Sequence, residues 1–404
     1  MTESAANRSI FWISLISLLI LSAGPVQAQF AIDKDALNYS GLHGSLKQAE
    51  ETSIGDQEAL SFSHGAATNS IDISESSEGS PKSLPAQSEV GWITGVPIDG
   101  YGVILHTTDG GENWTRQGSP NTIPNVPLSD VRAIDANTAW AVGNEDGNYA
   151  VILRTTDGGK TWIRCGAPGS VPDFGALGIG AVDSKIAWVV GSNGTIIHTE
   201  DGGKTWALQA SNTSAALMKV AAIDRYNAWI VGDHDNGYAV ILRTSDGGLT
   251  WTRQGNASTV KTIGLIDVTA ADNKTAWAVG VDYAVLKTLD GGESWQTQMY
   301  NSSGMAHING ACAIDDYNAW ITQDYGVVYW TGDGGKNWNE QSPGKGFYLM
   351  SASARILKTF WVVGFSQSNK GIILHTTNRG VNWTEQFAPV NVAFYRVSFV
   401  GTRS

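Results

Sequence analysis

Seven times between Thr107 and Trp383 the chain writes nearly the same eight residues. They are TTDGGENW (Thr107–Trp114), TTDGGKTW (Thr155–Trp162), TEDGGKTW (Thr199–Trp206), TSDGGLTW (Thr244–Trp251), TLDGGESW (Thr288–Trp295), TGDGGKNW (Thr331–Trp338) and a degenerate TTNRGVNW (Thr376–Trp383). Successive closing tryptophans stand 48, 44, 45, 44, 43 and 45 residues apart. A fixed period of this size marks a repeat whose units bury their apolar faces by stacking on one another. A second tryptophan recurs in register at Trp92, Trp140, Trp188, Trp229, Trp277, Trp320 and Trp361, 22 or 18 residues before the motif tryptophan. Of the 16 tryptophans only Trp12 and Trp330 fall outside these two series.

Repeat two shows how a unit is built. Asp130–Asp135 alternates apolar and polar residues, Ala139–Gly143 is a second strand, Ala150–Arg154 a third, and Thr161–Arg164 a fourth beyond the Asp-Gly-Gly turn. Four short antiparallel strands in about 45 residues make one propeller blade. Repeat one begins at its second strand, Gly91–Ile93, while Phe394–Val400 follows the last repeat with a first-strand pattern. The expected fold is therefore all-β, a closed seven-bladed propeller over 89–404 whose C-terminal strand completes blade 1 and leaves no open radial edge.

The residues ahead of the repeats read differently. Arg8 precedes an apolar run from Ile10 to Leu21, followed by Val26-Gln27-Ala28, the pattern of an export signal over 1–28. From 29 to 88 nine acidic residues face three lysines, and Ser74–Ser83 is rich in Ser, Glu, Gly and Pro, which reads as an acidic flexible tether. No later stretch is long enough to cross a bilayer. The mature chain is expected in the periplasm or outside the cell, or in the thylakoid lumen of a photosynthetic source. A net charge of −12 argues against a nucleic-acid partner. Cys165 and Cys312 read as small core residues.

The repeated turn invites a catalytic reading but has a structural one. A carboxylate at a hairpin tip accepts hydrogen bonds from turn amides and from the Thr hydroxyl two residues before it. Asp109, Asp157, Asp201, Asp246, Asp290, Asp333 and the variant Asn378 are assigned that role, because identical carboxylates around a ring cannot all be catalytic. These residues resemble the Asp-box, or BNR repeat, of sialidases, xyloglucan hydrolases, sortilin-type receptors and photosystem II assembly factors. The string Ile-Asp-x-x-x-Ala-Trp-x-Val-Gly (Ile134–Gly143, Ile223–Gly232), followed by Val-Ile-Leu-x-Thr-x-Asp-Gly-Gly, is most similar to the photosystem II stability/assembly factor family. That resemblance implies an exported, non-enzymatic propeller that binds a membrane-protein assembly intermediate.

Other sites were weighed from the residues. An Arg-Ile-Pro segment, the sialidase signature, is absent near the first blade. Glycoside hydrolysis needs two carboxylates about 5–10 Å apart, and a pair meeting across the channel stays open, so a secreted glycoside hydrolase or glycan-binding protein is the alternative. Asp233–Gly237 resembles the start of a calcium loop, but its twelfth position is Thr244 rather than Glu. His106, Arg154, His198, Arg243, Lys287, Trp330 and His375 share one slot before the motif Thr, read as an exposed strand position. No metal or cofactor is expected. Tyr101, Tyr149, Tyr238, Tyr283 and Tyr325 lie in the loop between strands two and three, each just after Asp99, Asp146, Asp235, Asp282 or Asp324. They are either plugs between blades or a partner-binding rim, with Asp146, Asp235 and Asp324 making that rim acidic. The pairs His106/Arg116, Arg154/Arg164 and Arg243/Arg253, ten residues apart, are expected side by side at the outer edge, as a remnant of a basic patch or as solvated side chains.

Overall fold

A computed structural model describes residues 89–400 apart from 148, 167–168, 262, 302–305 and 345. The export signal and acidic tether expected at 1–28 and 29–88 lie outside the described residues. Within them the chain forms seven four-stranded antiparallel sheets arranged as a propeller. The first strand of each blade is innermost, and these strands touch one another around the ring. In blade 2 the strands run Leu128–Ala133, Ala139–Glu145, Ala150–Thr155 and Ile163–Arg164, within two residues of the expected bounds.

Blade 1 takes its innermost strand from the far end of the chain. Phe394–Phe399 pairs antiparallel with Gly91–Ile98, Gly91 facing Phe399 and Ile93 facing Val397. Side chains tie the same strand to its neighbours. The Ser398 hydroxyl accepts from the Ala133 N–H of blade 2 (3.0 Å), and Ser353 of blade 7 accepts from the Phe399 N–H (3.1 Å).

Both tryptophan series serve the seams between blades. The core divides into seven apolar clusters, and each holds the second-strand Trp of one blade with the closing Trp of the next. Trp92 meets Trp162 and Trp229 meets Trp295, and Trp361 of blade 7 meets Trp114 of blade 1, which completes the circle. The second-strand tryptophans are all at most 1% exposed. Their neighbours pack as aromatic pairs do, Trp140 against Trp206 at 6.2 Å and Trp277 against Trp338 at 5.8 Å, both edge-on.

The slot before the motif Thr is not an exposed strand position. Each of its residues stands directly across from the second-strand Trp, as in Trp92↔His106, Trp140↔Arg154 and Trp277↔Lys287. His106, His198 and His375 stack on their tryptophans at 4.6, 4.3 and 4.6 Å, and the Arg154, Arg243 and Lys287 cations lie over theirs at 5.3, 5.1 and 4.4 Å. His, Arg and Lys interchange there because each can cover a π face. His106 and His198 are only 8% exposed and Lys287 5%.

The closure makes the last strand indispensable. Ending the chain at Val392 is expected to leave blade 1 with an open edge and an uncovered Trp361–Trp114 seam, giving an aggregated or unfolded product in size exclusion and calorimetry. A soluble truncation that melts cooperatively would show that the ring closes elsewhere.

Candidate functional site

Three regions carry polar side chains in a repeated geometry, namely the Asp-box turns, the loops on the opposite face, and the channel. In each Asp-box the Thr hydroxyl donates to the carboxylate and accepts the N–H of the second glycine, at 2.8 and 2.9 Å for Thr155, Asp157 and Gly159. The same carboxylate receives the N–H (2.9 Å) and hydroxyl (2.6 Å) of Thr161 four residues on. Asp109, Asp201, Asp246, Asp290 and Asp333 repeat this net, with the side-chain amides of Asn113 and Asn337 in place of the hydroxyl at Asp109 and Asp333, and Asn378 keeps the Thr and N–H bonds through its amide oxygen. The glycine after each Asp sits in the left-handed region, from +74° at Gly110 to +81° at Gly202. Hydrogen bonds draw the carboxyls of Asp157, Asp201, Asp246, Asp290 and Asp333 down to about 2. The hydroxyl of residue i+4 is the leading cause at Asp157, Asp246 and Asp290, and its backbone N–H at Asp201 and Asp333. Three of the roughly four acceptor sites of such a carboxylate are taken up within its own turn, which marks its role as structural.

The tyrosine-bearing loops share their face with the connections between blades, as in the bonds from Asp233 N to Ala216 O and from Gly102 N to Pro124 O. Three of the longer loops are clamped by an arginine of the outer strand. Arg116 binds Asp99 (2.8 Å) and lies over the Tyr101 ring (3.6 Å), Arg164 binds Asp146 (2.6 Å), and Arg253 binds Asp235 (2.5 Å) and lies over Tyr238 (4.3 Å). Blade 7 builds the clamp with reversed charge, Lys370 to Glu385 at 3.1 Å. The extra loop length is therefore spent on a cross-strand ion pair. Tyr101, Tyr149, Tyr238 and Tyr283 pack half-buried against the seam clusters. Tyr325 alone of the five is 60% exposed, with φ +68°, beside Tyr348 (6.4 Å), which stacks on Phe365 (5.3 Å). Asp324 holds the side-chain amide of Asn309 at 2.8 Å.

The clamps also remove the expected side-by-side basic pairs. Register sets Arg164 across from Leu153 and Arg154 across from Ile163, so the two arginines alternate faces. Arg154 runs to the Ser184 carbonyl of blade 3 (2.7 Å) while Arg164 turns to Asp146. Asp235 of the calcium-like loop is held by Arg253 and the Thr213 hydroxyl, and among the described residues no His, Cys, Asp and Glu cluster is placed to hold a metal.

The channel holds a feature that sequence reasoning missed. A β-bulge recurs in the innermost strands of blades 2 to 7, at Leu128/Asp130, Leu217/Lys219 and Leu265/Asp267 among others, with a matching shift beside Arg396 in blade 1. Bulges re-aim the residue that follows them. Around the ring that position reads Arg396, Asp130, Gly178, Lys219, Asp267, Gly310 and Ser351. Lys219 of blade 4 reaches past blade 3 to both oxygens of Asp130 at 2.8 Å, and Arg396 of blade 1 binds Asp267 of blade 5 at 3.2 Å while its Nε lies 3.9 Å from Asp130. Gly178 lets blade 4 come close, since a Cβ there would stand 2.9 Å from the Lys219 Cα. Each carboxylate also accepts from the next blade, Asp130 from Ile179 N–H (2.8 Å) and Asp267 from Ala311 N–H (3.0 Å). Asp130, Lys219 and Asp267 are 0, 5 and 4% exposed. The signal was the column itself, charged in four of seven repeats but hidden because its residue type changes from blade to blade.

The family model described as photosynthesis system II assembly factor YCF48 matches residues 54–167, 164–238 and 209–346, well over half of the chain. The chain belongs to the YCF48 family. A solved YCF48 bound to D1 peptide is 18% identical, covers 68% of this chain and 93% of its own, and superposes with a TM-score of 0.52. YCF48 from Cyanidioschyzon merolae is 22% identical over 76% of this chain and 98% of its own, with a TM-score of 0.50. The GH74 xyloglucanase of Xanthomonas campestris shares the fold at 13% identity and a TM-score of 0.51, over 65% of this chain and 45% of the xyloglucanase. No curated protein shows a sequence match to the chain. At these identities the YCF48 and xyloglucanase structures speak to the fold, and the family model carries the assignment.

Two expectations follow for this YCF48-family propeller. Lys219→Met should destabilise it by about 3 kcal/mol or more, since the change strands a buried carboxylate, while Lys219→Met with Asp130→Asn should recover most of the loss in denaturant unfolding. Equal losses in the single and double variants would show that the pair is not coupled. Acid should act in two stages. Burial holds the imidazoles of His106, His198 and His375 below their ordinary value, so stability falls as pH drops below about 6.5 and the unfolded chain gains the protons. The carboxyls of Asp157, Asp201, Asp246, Asp290 and Asp333, depressed to about 2 against an unfolded value of about 3.9, add stability above pH 4 that is lost between about 4 and 2. Melting scans on Asp246→Asn should show a shallower second stage.

Proposed function

We propose that this protein is an exported, non-catalytic propeller that binds a protein partner during assembly of a membrane-protein complex, with a D1-type peptide of photosystem II as the first candidate. Family membership carries this reading, because the family model is that of an assembly factor and one solved YCF48 holds a D1 peptide. The export pattern at 1–28 supports a periplasmic, extracellular or lumenal site of action. Among the described residues no helix is long and apolar enough to cross a membrane. On the tyrosine-bearing face the partner contact narrows to Tyr325 with Tyr348 and Phe365, since Tyr101 and Tyr238 lie under guanidinium groups and Asp146 and Asp235 are spoken for by Arg164 and Arg253.

The hydrolase alternative loses support at the channel. Among the described residues of the inner-strand column the carboxylates are Asp130 and Asp267, and both are buried, bonded to cations and capped by amides. A general acid or base needs a proton path to substrate, and burial beneath bound cations weighs against one at either residue. The deciding experiment sets fluorescence anisotropy with a labelled D1 peptide beside a xyloglucan hydrolysis assay on the same protein. Saturable peptide binding weakened by Tyr325→Ala, by roughly 1–3 kcal/mol for an interface anchor, together with no sugar release, is the expected result. Turnover of xyloglucan that disappears in Asp267→Asn would overturn it.

A further inference from the structure

The seventh Asp-box departs from the other six, and the charge of its surroundings changes with it. Asn378 replaces the carboxylate yet accepts the same bonds, from Thr376 Oγ1 at 3.0 Å and Asn382 N–H at 2.8 Å, so the turn folds without the charge. Arg379 stands where the other copies have glycine and takes up the left-handed conformation at φ +65°. That conformation is unfavourable for a residue with a Cβ, so the geometry of the turn itself does not call for the substitution. Its guanidinium lies over Trp330 of blade 6 at 5.1 Å. Val381 is 75% exposed in a slot that holds Glu112, Lys160, Lys204, Glu293 and Lys336 in five other copies and an exposed leucine, Leu249, in the sixth, so it is the combination with Arg379 that sets blade 7 apart.

The hairpin beside it departs in the same direction. In blades 2 to 6 the turn between the first two strands carries an aspartate that caps it, as Asp135 does for the N–H groups of Asn137 and Thr138. Blade 7 has Ile356, Leu357 and Lys358 there, with Ile356 56% and Leu357 37% exposed. A bond from Arg379 N–H to the Lys358 carbonyl (2.9 Å) holds the two tips together. Among its described side chains the tip of blade 7 thus shows Ile356, Leu357 and Val381 with the cations Lys358 and Arg379. The neighbouring tips are acidic on balance, with Asp315, Asp316 and Asp333 against Lys336 on blade 6, and Glu89, Asp109 and Glu112 on blade 1.

We propose that the blade 7 tip, formed by Ile356, Leu357 and Val381 with Lys358 and Arg379, is a docking site for a short acidic and apolar peptide segment of a protein partner. It rests on the protein-binding reading but uses the face opposite Tyr325. Charge complementarity selects the occupant. The acidic tips on both sides repel an extended anionic surface, whether bilayer or nucleic acid, whereas a short peptide segment need meet only the cations of this one tip.

The test is a selection of random peptides of about twelve residues displayed against the immobilised full chain, with the winners measured by anisotropy. Enriched peptides should combine Asp or Glu with Leu, Ile, Val or Phe. Their affinity should fall about tenfold or more in Val381→Asp and in Lys358→Glu, survive in Val381→Leu, and weaken with salt. Val381 is exposed, so the melting temperature of Val381→Asp should match the parent, which separates lost docking from lost fold. Enrichment of basic peptides, or of peptides that bind Val381→Asp as well as the parent, overturns the site. Peptides lost in Tyr325→Ala but not in Val381→Asp would leave the protein-binding function standing and place docking on the opposite face. Failure to enrich any peptide, together with xyloglucan turnover, would remove the function as well as the site. A dimer in light scattering that dissociates in Val381→Asp, or flotation with phosphatidylglycerol vesicles, would assign the tip to a second copy or to a lipid surface instead.

Discussion

A four-stranded blade has two apolar faces and cannot cover either alone, so every blade depends on the seam it shares with the next. The seams here are built to one plan, a fully buried Trp from the second strand of one blade against the closing Trp of the following one. Removing a large buried aromatic typically costs about 3–5 kcal/mol, a large fraction of the net stability of a domain. Because each seam needs both partners, the seventh has to find its closing Trp in blade 1, at Trp114. Phe399 stacks on Trp361 at 3.6 Å and meets Trp114 edge-on at 6.0 Å, so the strand that closes the hydrogen-bonded ring also completes the last seam.

The Asp-boxes hold the hairpins that carry those closing tryptophans. Each carboxylate folds its own turn, and the turn then bonds to the neighbouring hairpin of its blade, as from Gly158 N–H to the Asn137 carbonyl. The loops on the other face reach the same end by ion pairing, Arg116, Arg164 and Arg253 pinning loops that would otherwise be free. Exposed pairs of this kind contribute little alone, but here each also covers a tyrosine or caps a carbonyl, so packing and charge act at one place.

Blade number, strand order and ring closure were legible in the sequence because they rest on invariants: a tryptophan period, a turn motif and a surplus strand at Phe394–Val400. What was illegible rests on positions that vary. The channel column changes from Arg396 to Asp130 to Gly178 to Lys219, and only the curvature of seven inner strands brings such different residues into one cluster. Alternation in Asp130–Asp135 correctly marks a strand with two unlike faces, but periodicity cannot say whether the polar face meets water or an axis crowded with other strands. The ten-residue spacing of Arg154 and Arg164 misled for a related reason, since a hairpin register displaced by one residue sends paired positions to opposite faces.

A repeat protein carries its own internal control. Where a position is the same in every copy, its role is in the scaffold all copies share, and a departure that leaves the scaffold intact needs some other explanation. Asn378 shows that the turn tolerates loss of the carboxylate, and six glycines show which backbone Arg379 had to adopt. The tyrosines sort by the same comparison. Tyr101 and Tyr238 recur under arginine clamps and so belong to the scaffold, while Tyr325 sits in a shorter loop that has no such clamp and leaves its ring in solvent. The two departures lie in adjacent blades, Tyr325 in blade 6 and Arg379 in blade 7, and blade 7 shares with blade 1 the seam where the ring closes.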